Sequence, residues 1–496
     1  MLLFYDCLGE LHLEQCVKML KEKFARCELQ VSQPLVSFRE TVVPCDDSFT
    51  HILPPPWSAE LAKNRSAVGG RATLSLPFTA SAALESLSIC FKCTALPPPC
   101  ITALVDMDSG SQTSSSSSSS TKFSDFIAHY HKSCEENAFS SNGSSAAMSE
   151  LDGLYSSIQS SAVEDLWKTD FNSKWRNLYQ ELSTENRVDI LGKSGSDASS
   201  EAASDFLLRR VLAVGPRSTG SNVLVLSPEV YISIDDGTNS QLMQLTLSRN
   251  AFYFWKIWYR LHNSVVAGFE LCCSSGPLMQ EPVHGVAFIV EFIKLPLLLC
   301  SEILNRAELE ALSLPSTTSD VAVSGGVSST LSGQMIAETR DCLRTAMLSG
   351  PVRVVEPIYD CNLQCEQAQL GNLYSVLAKR RGEVYKEDII EGTSLFVLSA
   401  HLAVSESFGF AQELLKKTSG SGTTPQLKFS HWDVIPQDPF WRPVTEDELE
   451  EFGENATAEH NLPRVLIDQV RKRKGLPIEE KIVVFAEKQR TLNKKK

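Results

Sequence analysis

Three clusters in the sequence carry residue types that could do chemistry. The first is Gly192-Lys193-Ser194, which ends like the loop that cradles nucleotide phosphates. Such a loop aims backbone N–H groups at phosphate and needs a further glycine five residues upstream. Position 187 is Arg187, and the surroundings are polar and strandless, so the tripeptide reads as a fragment of the pattern. The second is Cys90-x-x-Cys93, with His129, His131 and Cys134 as further ligand types for zinc. Zinc pairs of that spacing sit in a turn, whereas Cys90 and Cys93 fall in an alternating apolar run that points them to opposite strand faces. They read as buried core residues. The third is the general supply of Ser, His and Asp, but no Gly-x-Ser-x-Gly elbow organises it. No nucleophile, base or metal cluster emerges, and chemistry alone leaves a binding module.

The elements that would carry such a module are legible in part. Leu13, Val17, Leu20 and Phe24 recur at helical spacing, which predicts an amphipathic helix over about Leu11–Ala25, followed by a short strand at Leu29 and Val31. Alternation at Leu74, Leu76, Phe78 and at Leu87, Ile89, Phe91, Cys93 predicts two strands, the second stopped by Pro97-Pro98-Pro99. The Ser-rich stretch of about 108–149, with its unbroken run Ser114–Ser120, buries too little to offset chain entropy and is expected to be a disordered insertion. A helix is expected around Leu166–Leu182, then soft regions at 192–204 and 312–332. From Arg353 onward the pattern is a strand over Val354–Leu363 and a helix over Glu366–Arg380. Gly382 is expected to stop that helix just after Arg380 and Arg381. Strands over Glu383–Asp388 and Leu395–Val404 follow, turned by Glu391-Gly392. A helix capped by Ser405 runs through Lys417, and Gln426–Val434 closes as a strand. The order βαββαβ is a split ferredoxin-like unit, a fold that serves many functions.

Bulk properties narrow the class. The 496 residues allow two to four domains, and a 43% apolar content suffices for ordinary cores. The net charge of -14 argues against a general nucleic-acid binder. The end is locally basic, however. Arg471 to Lys496 holds ten Lys/Arg against three Glu, directly behind the acidic stretch Glu446–Glu454. Fourteen cysteines in a chain this long do not make a disulfide framework. The opening apolar run Met1–Tyr5 is broken by Asp6, so no secretory signal is expected, and the sequons at Asn142 and Asn455 are not read as glycosylated. Gly285–Cys300 is too short and interrupted to span a bilayer. A reduced cytoplasmic protein without a membrane partner is expected.

Several runs, in one order and at compatible spacing, resemble the elongation factor 2 family. Gly9-Glu10-Leu11-His12-Leu13 and Phe38-Arg39-Glu40-Thr41-Val42 are similar to the end of that family's third domain and its passage into the fourth. Val265-Val266-Ala267-Gly268-Phe269, Ser275-Gly276-Pro277-Leu278 and Gly285 resemble the heart of the fourth. Glu356-Pro357-Ile358-Tyr359, Lys379-Arg380-Arg381-Gly382, Glu391-Gly392-Thr393, Glu406-Ser407-Phe408-Gly409-Phe410, His431-Trp432 and Asp438-Pro439-Phe440 resemble the fifth. Gly215-Pro216-Arg217 before Asn222, Phe440-Trp441, Val470–Leu476 and Ala486–Leu492 point to the branch of elongation-factor-like GTPases of large-subunit maturation.

The resemblance implies a multidomain α+β fold. Residues 1–38 would be part of a third domain. Residues 39–352 would be an α+β fourth domain with the insert and a long flexible tip loop over 297–332. Residues 353–440 would be the ferredoxin-like fifth domain, and 441–496 an acidic then basic segment returning to the fourth. The family's GTP-binding domain has no counterpart here, so GTP and magnesium are not expected to bind and the chain is not expected to hydrolyse GTP. Its half third domain leaves a sheet edge unpaired. The implied partners are the large ribosomal subunit, through rRNA and stalk-base proteins, and an SBDS-type protein. The anti-association initiation factor evicted from that ribonucleoprotein particle would be an indirect partner. Arg380, Arg381, Arg471, Lys472, Arg473 and Lys474 are the candidate RNA contacts; the terminal four could equally dock their own segment. In the translocase a modified histidine precedes a fourth-domain helix, expected here over Met335–Met347. Counting back from Gln334 puts Ser329 at the histidine and Thr330 at the neighbouring arginine. A fragment of the translocase and a stand-alone protein-interaction module are the alternative readings.

Overall fold

The computed structural model describes residues 10–25, 35–43, 67–77, 86–96, 211–216, 220–235, 241–246, 251–304, 306–312, 314, 327–390, 393–420, 422–423, 425–441, 446–452 and 461–478. The short strand expected at Leu29, the Ser-rich insert, the helix expected around Leu166–Leu182 and the turn at Glu391-Gly392 lie outside these residues. The chain divides into two compact units, one of Met1–Arg39 with Val354–Ile435 and one of Glu40–Arg353 with Pro436–Lys496. The N-terminal helix α1 spans Glu10–Met19 and ends in a π turn over Leu20–Phe24. Its expected apolar stripe is only half-buried at Leu13, Val17 and Leu20, and Phe24 is exposed.

The larger unit begins with β1 (Arg39–Val42) and centres on a seven-stranded sheet. Its strands are β2 (Ala67–Val68), β3 (Arg71–Pro77), β4 (Ser86–Ala95), β5 (Val211–Gly215), β6 (Asn222–Asp235), β7 (Gln241–Thr246) and, after α2 (Ala251–Ser274), β8 (Val286–Pro296). The order is β2-β3-β4-β8-β6-β5, with β7 also on β6; β6 and β8 run parallel and the other pairs antiparallel. Sitting between β4 and β6 explains why β8 is apolar on both faces, with Val286, Ala287, Phe288 and Val290 fully buried. The run considered against a membrane span is therefore a central strand, and no described helix is long and apolar enough to cross a membrane. Helix α2 buries Phe254, Ile257, Trp258, Leu261, Val265, Phe269 and Cys272, one stripe at three- and four-residue spacing.

Cys90 and Cys93 both lie in β4, each almost fully buried. The Cys90 thiol donates to Glu291 Oε2 at 3.6 Å. Burial, with Cys272 nearby, pushes the Cys93 thiol well above its ordinary range. Among the described residues no three His, Cys, Asp or Glu side chains are placed to hold a metal ion. The proposed extra ligands His129, His131 and Cys134 lie outside those residues.

The expectation of a flexible loop over 297–332 is corrected for the described parts of that span, 297–304, 306–312 and 327–332. Leu297–Ile303 is helix α3 and Arg306–Ala311 is helix α4, with Leu297, Leu299, Cys300, Leu304, Leu309 and Leu312 buried. Lys256 of α2 holds α4 by an ion pair to Glu308 at 2.6 Å, both side chains largely buried. Leucine content decides the outcome here, because the serines and glycines come later in the segment. Helix α5 spans Val327–Leu348 and starts eight residues before the expected Met335. Ser329 and Thr330 thus stand in its first turn.

The smaller unit carries β9 (Val352–Glu366), α6 (Leu370–Lys379), β10 (Glu383–Ile389), β11 (Leu395–Ala403), α7 (Phe410–Lys417) and β12 (Gln426–Val434). Strand β9 pairs with β11 on one side and β12 on the other, and β10 lies outside β11, all antiparallel. This β12-β9-β11-β10 order is the ferredoxin-like arrangement. Cys361, Leu363, Cys365, Leu398, Ala400 and Leu402 form the sheet side of its core, covered by Leu373, Val376 and Leu377 of α6 and Phe410 and Leu414 of α7. Fold class is thus α+β in more than one domain, as the resemblance implies.

Two stop signals act differently from their sequence reading. Arg381, not Gly382, takes the left-handed conformation after α6 (φ 56°), and the Gly382 N–H bonds back to Leu377 O at 2.7 Å. Gly382 is needed for another reason: a Cβ there would lie 2.9 Å from Leu377 Cδ2 and 3.1 Å from Leu377 O. Ser405 does not cap α7. It belongs to a 3₁₀ turn, Val404–Glu406, and α7 starts after Gly409, left-handed at φ 69°.

Candidate functional site

A polar node organises the larger unit. Strand β1 reads Arg-Glu-Thr-Val, yet Glu40 is fully buried. Its backbone ties β1 to the segment before β8, through Glu40 N to Pro282 O and His284 N to Glu40 O. Its carboxylate accepts three backbone N–H groups from one turn: Leu278 at 2.7 Å, Met279 at 2.8 Å and Glu281 at 3.1 Å. The carboxylate occupies the space a side chain at position 276 would need, which restricts that position to Gly276. Arg344 of α5 braces the turn from Ser275, donating to its carbonyl and its hydroxyl, both at 2.9 Å. Burial pushes the Glu40 carboxyl up to about 7, against the pull of the three N–H donors and the Arg344 charge.

The other side of that turn receives the basic run. After α8 (Glu446–Phe452), helix α9 spans Leu462–Lys474. Asn461 caps it, accepting from Arg464 N while its amide donates to Asp438 O at 2.7 Å. Gly475, left-handed at φ 69°, closes it, and Leu466, Ile467 and Val470 are buried. Arg471, buried among these, donates to Leu278 O and to Pro477 O. Lys474 donates to Met279 O at 2.9 Å and Gln280 O at 2.7 Å, and pairs with the Glu281 carboxylate at 2.7 Å. One turn therefore has its N–H groups held by Glu40 and its carbonyls held by α9. Lys472 and Arg473 are exposed. By helical geometry Arg471, buried, and Lys474, reaching in from an exposed position, both bond the turn, whereas Lys472 and Arg473 face away from it.

The two arginines after α6 are engaged inside the smaller unit. Arg380 grips Glu413 through Nε at 2.9 Å and Nη2 at 2.6 Å, and donates from Nη1 to Glu406 O and Phe408 O. With Lys379 it holds the Glu413 carboxyl down to about 2. Arg381 makes a two-pronged pair with Glu356 at 2.9 and 3.1 Å. Four of the six candidate contacts thus donate to acceptors within the chain.

Two constellations join segments some sixty residues apart, and of their members only Gly215 and Asn222 stood together in a sequence resemblance. Ser221 Oγ and His284 Nδ1 are 2.7 Å apart, but Ser221 is 3% exposed and also accepts Gly285 N–H, a packing role with no access for a substrate. Buried Asn222 donates to Gly215 O and Val283 O and accepts from Val286 N at 3.0 Å, fastening β5, β6 and β8 at one end. The described residues hold no glycine-rich phosphate loop, and Gly192-Lys193-Ser194 lies outside them.

Residues 353–442 match the family model described as elongation factor G C-terminus. Over 98% of its length the chain is 31% identical to elongation factor-like GTPase 1 of Homo sapiens, covering 41% of that protein. Over the same share it is 30% identical to ribosome assembly protein 1 of Saccharomyces cerevisiae and 31% identical to that of Schizosaccharomyces pombe, covering 35% and 39% of them. The chain spans well under half the length of these relatives. Phe38–Val42 and Ser275–Leu278, read as separate resemblances, meet at the Glu40 node, and Gly215 meets Asn222. Residues 353–442 are thus an elongation factor G C-terminal domain, and nearly the whole chain is a relative of elongation factor-like GTPase 1 and ribosome assembly protein 1.

Proposed function

We propose that this chain is the ribosome-binding portion of an elongation-factor-2-like GTPase that acts in the cytoplasm on nascent large ribosomal subunits. In that reading it works beside an SBDS-type protein in releasing the anti-association initiation factor. The observation that carries the proposal is the match over 98% of the chain to proteins named for ribosome assembly. GTP and magnesium would be held elsewhere in such a protein, since the phosphate-loop fragment here has Arg187 in place of the required glycine. Against the translocase reading stands the stretch between His284 and His401, which contains no histidine to be modified, although the count back from Gln334 to Ser329 falls inside α5 and not before it. The chain should co-sediment with purified large subunits at low salt, and added GTP should not change the amount bound. Failure to sediment, or a response to GTP, would sink the proposal.

Lys472 and Arg473 are the members of the basic run that this reading turns toward rRNA phosphates. Replacing both by alanine is expected to leave thermal stability unchanged and to reduce the salt slope of subunit binding by roughly two units. Replacing Arg471 by alanine should do the reverse. It strands the carbonyls of Leu278 and Pro477, costs about 2 kcal/mol of stability and leaves the slope alone. Equal slopes in the wild type and the Lys472/Arg473 variant would remove the RNA role from this helix.

A further inference from the structure

We infer that the sheet face opposite α6 and α7 in the ferredoxin-like unit is a docking surface for a lysine- and arginine-rich protein segment. Strand alternation fixes which residues lie there. Cys361 and Leu363 of β9 and Leu398 and Ala400 of β11 point to the helices, so Asp360, Asn362, Ser399 and His401 point away from them. The register aligns Glu383, His401, Asp360 and Lys428 in one row across all four strands.

Two properties of this face select the ligand. The first is an aromatic floor. Tyr385, 52% exposed, stacks on His401 with centroids 4.4 Å apart at 20°, and its hydroxyl donates to Asp360 Oδ1 at 2.9 Å. His431 meets His401 edge-on at 5.2 Å, so three rings from β10, β11 and β12 adjoin. The second is charge. By register the face carries the carboxylates of Asp360, Glu366, Glu383, Asp388 and Asp433. They stand against Lys386 and Lys428, and Lys386 is already bonded to Asp388 at 2.6 Å. At its corner Arg381 is matched by Glu356. Ring faces and surplus carboxylates attract guanidinium and ammonium groups, whereas the same carboxylates repel the phosphates of a nucleic acid. Aromatic stacking alone would suit bases; the charge decides for a basic peptide.

The inference does not rest on ribosome assembly, and its test contains no ribosomes, so either reading can fail alone. A fluorescein-labelled peptide of alternating Gly, Arg and Lys is titrated with the whole chain at low salt, read by anisotropy. Because the chain carries a net charge of -14, the variants must separate this face from bulk attraction. Glu366→Lys/Glu383→Lys/Asp388→Lys, all at exposed strand positions, is expected to weaken binding about tenfold. The same three reversals at Glu446, Asp447 and Glu448 of α8 should change it much less. Tyr385→Ala, which keeps every charge, should weaken binding severalfold, and it tests the face even if the triple variant does not fold. Equal losses from both triple variants, an unchanged affinity in Tyr385→Ala, or a single-stranded RNA of the same length outcompeting the peptide would each overturn the inference.

Discussion

Replacing Glu40 by alanine is expected to destabilise the larger unit by about 4 kcal/mol, a large share of the roughly 5–15 kcal/mol that holds an ordinary domain folded. Three backbone N–H groups lose the carboxylate that accepts them at once, in a place that water does not reach. Arg344 and Arg471 lose the carboxylate that faces them. The 276–281 turn then has no reason to keep its shape, and α9, which reads the carbonyls of that turn through Arg471 and Lys474, loses its seat. Glu40→Gln should fall between wild type and alanine, because its oxygen still accepts while its amide faces N–H groups. Urea unfolding followed by the fluorescence of buried Trp258 gives the ranking. A loss below about 1 kcal/mol in Glu40→Ala would show that the turn is held by other means. The same group sets a pH signature. Its folded carboxyl titrates at about 7 against an ordinary 4.5, so the folded chain keeps a proton that the unfolded chain has released. Its contribution is therefore fully present below pH 4.5 and lost as pH rises through 7, a component that Glu40→Ala should lack.

How much of this was legible follows from the range of each interaction. Strand β12 was readable to the residue, Gln426–Val434, and the βαββαβ order with it, since alternation and helical spacing are local. Strands β3 and β4 likewise follow from alternating apolar residues. The end of α6 was readable in place but not in mechanism. Nothing local says that Arg381 will accept a left-handed backbone, because the two-pronged pair that rewards it comes from Glu356, twenty-five residues upstream. Helices α3 and α4 were missed because a 36-residue span was judged by the composition of its second half. Within the site, a charge run announces cations but not their directions; Arg471 and Lys474 are pulled inward by carbonyls some two hundred residues away. Glu40 stood in a resemblance without a role, since its role is a turn that begins at Ser275. Buried polar networks between distant segments carry no periodic signal, and they make up most of this node.

The second large effect concerns a glycine, and the same substitution at two places should give opposite signs. Gly268 sits in α2 where α5 crosses it. A Cβ there would stand 2.7 Å from Thr339 Cβ and 2.8 Å from the carbonyl oxygen of Ile336. The second of these atoms is backbone, so no rotamer change relieves the clash and the two helices must part. Alanine gains about 1 kcal/mol over glycine in helix propensity, which overpacking has to exceed. Both helices are locked by fully buried neighbours, Val265 and Phe269 on one and Leu343 and Met347 on the other, so the strain spreads into the core. Gly268→Ala is therefore expected to cost about 2 kcal/mol net. Gly333, inside α5, has nothing within 4 Å of its would-be Cβ and is exposed. Gly333→Ala should raise stability by roughly 0.5–1 kcal/mol through propensity and a restricted unfolded chain. Thermal melts of the two variants beside the wild type decide the matter. If Gly268→Ala melts as high as Gly333→Ala, the α2–α5 crossing has slack, and close packing at Gly268 is not what sets the distance between the helices.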